Sequence, residues 1–225
     1  MNQTLTVRST LALKGVLQKL APRFEREAGL ALDLRYDATQ AILKMVAAGE
    51  GADLYILTSE AMDQLQKEGR VAKARRLGSS GVGVAVRAGA KRPDIGSVEA
   101  FTRALLAAES VAHSKVGASG IYFSEVLQRL GITERLKKRV IVEKGPVGAV
   151  VASGEAEIGV QQLCELAPVP GIDIVGPLPK ALQKVTSFSA GIPQGAQEQA
   201  AGALLEFLGS KEAREAMKAG AIEPA

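Results

Sequence analysis

The sequence has very little of the chemistry on which many enzyme classes depend. Its 225 residues include one cysteine, one histidine and no tryptophan, and aromatic residues make up only 4%. A single cysteine, Cys164, excludes an internal disulfide, and no cysteine–histidine cluster is present to bind zinc. The scarcity of aromatic rings argues against a surface that stacks sugars or nucleobases. We therefore expect neither a metal ion nor an organic cofactor.

Long apolar runs and dense charge are also absent. No run approaches the roughly 20 apolar residues that a membrane-spanning helix needs, which predicts a chain without such a span. The net charge is +4, which suits an anionic partner. The basic clusters Arg75-Arg76 and Lys137–Arg139 are short and separated, so no basic stripe could follow a phosphate backbone. We expect no nucleic-acid partner.

The start of the chain leaves the cellular compartment open. Residues 1–3 lead straight into a predicted strand, so the sequence shows no signal peptide. We expect a periplasmic protein if a signal peptide was removed, and a cytoplasmic one if Met1 is the native start.

The most informative pattern is a short apolar strand that ends in hydroxyl side chains and passes directly into an amphipathic helix. The hydroxyl and amide residues at its three occurrences are Ser9 and Thr10, Thr39 and Gln40, and Ser114 with Ser119. Such a junction combines free backbone N–H groups, the positive end of a helix dipole and a neutral donor. One serine or threonine at a helix start is usually only an N-cap. Three in one α/β chain predict a site for a small anion.

Strands and helices alternate along the chain, as expected for parallel sheets flanked by helices. The pattern breaks at Gly78–Gly81, a second α/β unit begins beyond it, and the two closing helices have no strands of their own. We therefore expect an α/β protein of two lobes, each a mainly parallel sheet flanked by helices. The predicted lobes are 1–82 plus 188–225, and 83–187. Two crossing strands, near 82–88 and 185–191, would be hinges beside a ligand-binding cleft.

Three local signals refine this prediction. Gly29 is expected to be the C-cap of the first long helix, because glycine adopts the left-handed conformation without strain. Pro22 lies inside the same helical pattern and predicts a kink or a division there. Ser59 is predicted to cap the helix that follows the third strand.

The order and spacing of several segments resemble the periplasmic molybdate-binding proteins of ABC importers and their relatives. The resemblance is carried by Leu13–Phe24, Thr39–Gly49 with Ala52–Leu54, Ala118–Tyr122, Gly154–Val160 and the closing helices. It implies a two-lobed periplasmic-binding-protein-like fold of type II. It also implies a solute-binding protein that captures a small oxyanion or carboxylate. The partners would be that anionic ligand and, if the protein is exported, the membrane permease of an ABC importer; we expect a monomer.

In that family, hydroxyls and backbone amides at helix starts hold the oxyanion without a cationic side chain. The matching ligand-binding positions are Ser9, Thr10, Thr39, Gln40, Ser119, Gly120, Val147 and Gly148. Molybdate binders have a donating tyrosine after the late strand, where this sequence has Gln162. An amide donates and accepts, which fits a carboxylate or hydroxyl better than a bare tetrahedral dianion. Lys14 either neutralises a carboxylate or is simply an exposed residue of the helix.

Relatives of this family without a transport role, including aconitate isomerases, resemble the same pattern. The alternative function is therefore an isomerase of a small tricarboxylate on the same scaffold. His113, the only histidine, or Tyr122 would then move the proton. Each also has a structural explanation, a strand-end hydrogen bond for His113 and apolar packing for Tyr122. The sequence leaves open whether the chain binds its anion or transforms it.

Overall fold

The computed structural model describes residues 3–225, and Met1 and Asn2, on which the expectation about the native start depends, lie outside that range. The chain forms two compact units. The first contains the residues up to Ser80 together with Thr186–Ala225, and the second is Gly81–Val185. The chain thus passes between the units twice. No helix within residues 3–225 is both long enough and apolar enough to cross a membrane.

The secondary structure alternates as predicted. The strands are β1 (Thr4–Thr10), β2 (Ala31–Asp37), β3 (Leu54–Thr58), β4 (Val71–Arg87), β5 (Val111–Ser114), β6 (Arg139–Val142), β7 (Ile158–Gln162), β8 (Ile172–Pro177), β9 (Val185–Pro193) and β10 (Glu223–Pro224). The helices are α1 (Lys14–Ala28), α2 (Thr39–Ala47), α3 (Ser59–Lys67), α4 (Val98–Ala107), α5 (Ala118–Arg129), α6 (Val147–Ala152), α7 (Leu163–Leu166), α8 (Glu198–Phe207) and α9 (Lys211–Ala219).

The sheet of the first unit is built around β1. Strands β2 and β3 lie parallel to β1 on its two sides, and β9 extends the sheet antiparallel to β3. Leu5 and Val7 of β1 are fully buried, as are Leu54 and Ile56 of β3. Burial of these apolar side chains stabilises the sheet and fixes its register, because a slip by one residue would turn them to the other face.

The sheet of the second unit is built around β5. Strands β6 and β7 lie parallel to it, and β4 pairs antiparallel with both β7 and β8. One face packs against α4 and α5 through a cluster that includes Phe101 and Phe123. The opposite face packs against α6 through Val147 and Val151. Parallel strands flanked by helices, with antiparallel strands added, confirm the predicted α/β class.

The structure confirms one local prediction and corrects another in the first unit. Gly29 is the C-cap of α1 with φ 67°, as predicted. Of the two effects predicted for Pro22, the division of the helix is wrong, because α1 runs unbroken from Lys14 to Ala28, and the kink stays a prediction. Pro22 is exposed, so water can hydrogen-bond the carbonyl that loses its helical partner.

The predicted cap of α3 is off by one residue. Thr58 is the N-cap, and its Oγ1 accepts a hydrogen bond from the Ala61 amide at 3.4 Å. Ser59 is the first residue of the helix, and its hydroxyl lies 2.8 Å from that of Ser189 in β9. The Ser59 hydroxyl thus contacts a strand that is distant in sequence instead of capping the helix.

The boundary between the two units, at Ser80 and Gly81, falls within the predicted break at Gly78–Gly81, but the strand is not interrupted there, since β4 continues through it. A Cβ atom on Gly78 would come within 2.5 Å of the Glu223 carbonyl oxygen in β10. Glycine at this position allows two strands to approach closely rather than forming a turn.

Candidate functional site

The predicted hydroxyl residues of the first unit lie at the carboxyl ends of two neighbouring parallel strands. The pairing of β1 with β2 places Ser9 beside Tyr36 and Thr10 beside Asp37. The chain then enters a short 3-10 turn and α1 after β1, and α2 after β2. In open α/β sheets, ligands bind beyond these carboxyl ends.

The hydroxyls that end β1 do not cap a helix. Ser9 is fully buried, and its hydroxyl donates to the Thr10 carbonyl oxygen at 2.9 Å. Thr10 precedes the 3-10 turn Leu11–Leu13, and its side chain makes no capping hydrogen bond to that turn. The usual structural role of such residues is therefore not realised at this junction.

The start of α2 is likewise uncapped by a side chain. Ala38 occupies the N-cap position and offers no side-chain acceptor. The first helical bond is made by the Ala41 amide, which donates to the Ala38 carbonyl at 2.9 Å. The amides of Thr39 and Gln40 therefore have no acceptor within the helix and can bind an anion.

The same arrangement recurs in the second unit where β5 meets α5. Gly117 is the N-cap of α5 and provides no side-chain cap, and Ser119 follows in the first turn. A Cβ atom on Gly120 would lie only 1.9 Å from the Ser114 carbonyl oxygen. Gly120 therefore allows the first turn of α5 to pack closely against the end of β5. This close packing places the buried Ser119 near the carboxyl end of β5.

Other helices of the chain show what ordinary capping looks like. Thr58 at α3, Ser97 at α4 and Ser210 at α9 each accept a hydrogen bond from an amide of the first turn. Hydroxyl residues in this chain thus cap helices away from the predicted junctions and leave the starts of α2 and α5 open. The starts of α1, α6, α7 and α8 also lack a side-chain cap. What distinguishes α2 and α5 among the uncapped helices is a hydroxyl residue in the first turn, Thr39 and Ser119.

The start of α6 differs from the predicted ligand contact. The Val147 amide, predicted to face the anion, donates to Oε1 of Gln161 at 2.9 Å. Gly148 is buried, and a Cβ atom on it would lie 3.1 Å from side-chain atoms of Val169 and Ile172. Packing and an internal hydrogen bond thus account for both residues. Gln162 is buried at the end of β7, where it precedes α7.

A carboxyl group that the sequence did not single out lies beside this region. Gln161 Nε2 donates to Oε2 of Glu165 at 2.5 Å. Although part of the Glu165 surface stays exposed, burial of its carboxyl group raises the pKa to about 7, against the opposing effect of the Gln161 hydrogen bond. The spacing of four residues between Gln161 and Glu165 is the signal that could have revealed the pair.

Sequence reasoning also missed Tyr36. Its side chain is half-buried, and its hydroxyl has no hydrogen-bond partner in the part of the chain that the structure describes. Burial raises the pKa of Tyr36 to about 12. Lys14, exposed at the start of α1, places its Nζ atom 5.7 Å from the centre of the Tyr36 ring. A tyrosine that ends a strand just before Thr39 was the available signal.

Comparison with known proteins places this geometry in a family. Residues 5–220 match the model of the bacterial extracellular solute-binding proteins. The chain belongs to this family. It is 42% identical to an aconitate isomerase from a Pseudomonas species over 232 residues, which cover 98% of this chain and 88% of that protein.

Two molybdate binders are also similar to this solute-binding family member. The molybdate-binding protein ModA of Escherichia coli K12 is 25% identical over 222 residues, covering 95% of this chain and 86% of ModA. The structure of the periplasmic molybdate-binding protein of Azotobacter vinelandii has a TM-score of 0.77 at 20% identity, with 97% and 98% of the two chains covered. At 20% identity, this structural similarity supports the fold and not the function. The predicted resemblance is confirmed.

His113, predicted as a proton-transfer residue, is buried near the end of β5. Its Nδ1 atom lies 3.1 Å from the Ser114 carbonyl oxygen, which only accepts, so Nδ1 carries the proton. Its Nε2 atom is buried without a partner in the described chain, and burial lowers the pKa of the ring below its usual value. The ring packs edge-on against Phe123, one turn beyond Ser119 on α5, at 5.5 Å between ring centres.

Tyr122, the other residue predicted to transfer a proton, has its hydroxyl engaged. It donates to the Leu182 carbonyl at 2.9 Å and accepts from Arg129 Nη2 at 3.1 Å. Lys184 adds a cation near the ring, 5.0 Å from its centre. These contacts support a packing role for Tyr122 within the second unit.

Two open cavities, one in each unit, lie away from the predicted residues. One has a volume of about 510 Å³ and is lined by Arg92, Arg103 and Glu157, and the other, of about 650 Å³, is lined by Asp53 and Arg70. Neither is lined by a residue predicted for the site. Within residues 3–225, no group of three or more histidine, cysteine or acidic residues is placed to hold a metal ion.

Proposed function

We propose that this solute-binding family member binds a small tricarboxylate and isomerises it, with aconitate as the substrate. The sequence offered this function as the alternative to transport. The chain is 42% identical to an aconitate isomerase and 25% identical to a molybdate-binding protein, which supports isomerisation as the first candidate and transport as the second.

The observation that carries the anion-binding part of the proposal is a hydroxyl residue in the first turn of a helix whose start has no side-chain cap. Ser97 and Ser210 satisfy first-turn amides of their helices, whereas the starts of α2 and α5 receive no side-chain cap. Unsatisfied amides and a helix dipole stabilise negative charge at such a start. Thr39 and Ser119 add hydroxyl donors that need little reorganisation.

The isomerisation moves one proton along a three-carbon frame. A base removes a proton from one carbon, the double bond shifts, and the proton is returned to the carbon at the other end, so no oxidant or reductant is needed. Amide and hydroxyl donors stabilise the negative charge that develops on the neighbouring carboxylate. His113 is the better supported base, because its Nε2 atom has no hydrogen-bond partner within residues 3–225, whereas the Tyr122 hydroxyl already donates to a carbonyl.

The second candidate is a solute-binding protein that delivers a small oxyanion to an ABC-importer permease from the periplasm. Membership of the extracellular solute-binding family and the similarity to ModA favour it. Both candidates use the same donors, so the ligand and its fate distinguish them.

The test combines thermal stability with turnover on the full chain. The purified protein is heated with cis-aconitate, trans-aconitate, citrate, molybdate, tungstate, sulfate or phosphate at matched ionic strength. A ligand far above its dissociation constant adds a few kcal/mol and raises Tm by several degrees. We expect shifts with both aconitates, and conversion of cis-aconitate into trans-aconitate by proton NMR. A carboxylate shift without conversion supports transport, and a response to molybdate or tungstate alone contradicts the proposal.

A further inference from the structure

The Tyr36 hydroxyl is a buried hydrogen-bonding group near the carboxyl end of β2. Its oxygen is covered, yet it bonds to nothing in the described chain. Leaving such a group unsatisfied destabilises the folded state. The register pairs Tyr36 with Ser9, so the two side chains share one face at the carboxyl ends of β2 and β1.

Ser9 and Tyr36 differ in what their hydroxyls can still do. The Ser9 hydroxyl already donates to the Thr10 carbonyl at 2.9 Å. The Tyr36 hydroxyl has no hydrogen-bond partner among residues 3–225. Burial raises its pKa to about 12, so it stays protonated near neutral pH. Of this pair, Tyr36 is the donor available to an incoming acceptor.

Lys14 places a positive charge near the Tyr36 ring. Its Nζ atom lies 5.7 Å from the Tyr36 ring centre, and the residue is exposed at the start of α1. The long, exposed lysine stem can move its ammonium group without disturbing the sheet. Asp37 also ends β2, and one of its oxygens accepts from the Ala38 amide at 2.7 Å. A carboxylate ligand at this edge therefore needs a cation nearby to offset that charge.

We propose that Tyr36 and Lys14 form a carboxylate subsite of the first unit, in which the tyrosine hydroxyl donates to one ligand carboxylate and the lysine ammonium neutralises it. The inference rests on the proposed function and specifies its substrate class. A subsite with one full cation fits a ligand that carries separate carboxylate charges. It also assigns a specificity role to Tyr36, which the sequence reasoning left out.

The test measures binding of tricarballylate, a saturated tricarboxylate that cannot isomerise, by titration calorimetry. Tyr36→Phe keeps the ring and removes only the donor, so we expect Kd to rise about tenfold while the Tm of the protein alone stays equal or increases. Lys14→Gln should raise Kd at low salt and flatten its dependence on NaCl concentration.

Two matched variants provide the controls. Tyr55 is a buried tyrosine of the same unit whose hydroxyl already bonds the Ala52 backbone, so Tyr55→Phe should lower Tm and leave Kd unchanged. Lys44→Gln removes an exposed lysine from the last turn of α2 without affecting Kd. Wild-type Kd retained within twofold by both Tyr36→Phe and Lys14→Gln overturns the subsite and leaves the proposed function standing. Wild-type protein that binds no carboxylate overturns the proposed function itself.

Discussion

At the residue scale, the fold shifts the pKa values of two ionisable groups of the second unit in opposite directions. Burial lowers the pKa of His113 and raises that of Glu165 to about 7. The folded second unit therefore favours a neutral imidazole and a neutral carboxyl group, since charged groups are costly to bury. Neither shift was visible in the sequence, because each depends on what packs around the side chain.

Replacing His113 tests its role as the base. His113→Asn keeps an N–H donor near the Ser114 carbonyl and removes the Nε2 acceptor. We expect kcat for aconitate to fall about 100-fold or more while Kd for tricarballylate stays within twofold, because a lost general base affects the chemical step.

Tyr122→Phe is the comparison variant for His113→Asn. It removes the hydrogen bond to the Leu182 carbonyl, so stability should fall by about 1 kcal/mol with kcat nearly unchanged. A His113→Asn enzyme within threefold of the wild-type kcat would mean that another group transfers the proton.

Glu165 predicts a dependence of stability on pH. The folded protein binds the Glu165 proton more tightly than the unfolded chain, whose carboxyl has its usual pKa near 4.5. The resulting stability is present below pH 4.5 and is lost as the pH rises through about 7. Relative to Glu165→Gln, the wild-type free energy of unfolding should fall by about 1–3 kcal/mol between pH 4.5 and pH 8.

Urea titrations of both proteins across this range measure the difference, which isolates Glu165 from His113. The glutamine variant retains an oxygen that can accept from Gln161, so the pair with Gln161 is preserved. Parallel pH profiles for the two proteins would contradict the burial of an ionisable carboxyl group.

At the element scale, the starts of helices divide into capped and open ones. Ser97 caps α4 by accepting from the Ala100 amide at 3.1 Å. Ser119 lies inside the first turn of α5, where the N-cap position belongs to Gly117. Ser97 is thus a structural cap, whereas Ser119 is proposed as a donor to the ligand.

The paired variants Ser119→Ala and Ser97→Ala separate these tasks. Ser119→Ala should raise Kd for tricarballylate about tenfold or more with little change in Tm, because a donor to a charged group is lost. Ser97→Ala should lower stability by about 1 kcal/mol and leave Kd unchanged. Calorimetric titration and thermal unfolding of both variants provide the readouts. The interpretation of α5 as an open helix start is wrong if Ser119→Ala loses stability and keeps its affinity.

The element scale also explains what the sequence could predict. Apolar periodicity located the strands and helices, because the spacing of apolar residues that buries one face of an element is a local property of the sequence. It placed Ser59 one residue away from the true cap, since the partner that binds Ser59 is Ser189, far along the sequence. It did not predict that β4 continues through Gly78, because the strand that packs against this glycine, β10, is formed by the last residues of the sequence.

The candidate site shows the same limit. Ser119 and Thr39 were predicted from a local pattern of strand, hydroxyl and helix. Pairings between separate elements determine the hydrogen bond from the Val147 amide to Gln161. They also determine that the Tyr36 hydroxyl has no partner in the described part of the chain. A single sequence without such pairings can locate helix starts, but it cannot tell which amides are already satisfied.

At the scale of the whole molecule, one unit is continuous in sequence and the other is not. Gly81–Val185 contains both faces of its sheet, with the clusters around Phe123 and Val151 lying within that segment. The first unit needs residues from both ends of the chain, since β9 pairs with β3 and Phe207 of α8 packs on Phe24 of α1 at 5.3 Å. The continuous unit therefore has all of its own core, and the discontinuous one does not.

This difference predicts how fragments behave. Residues 81–185 alone should give a cooperative thermal transition and slow amide exchange in β5 and β7, because a segment of this length with its own core is an ordinary domain size. Residues 1–80 alone should remain largely unfolded, because β3 loses its antiparallel neighbour β9 and α1 loses its contact with α8. Adding a separate peptide of residues 186–225 should restore structure to the 1–80 fragment. Circular dichroism and hydrogen exchange on the three samples measure this. A cooperative transition in 1–80 by itself, or its absence in 81–185, would show that the core of each unit is not assembled as these contacts require.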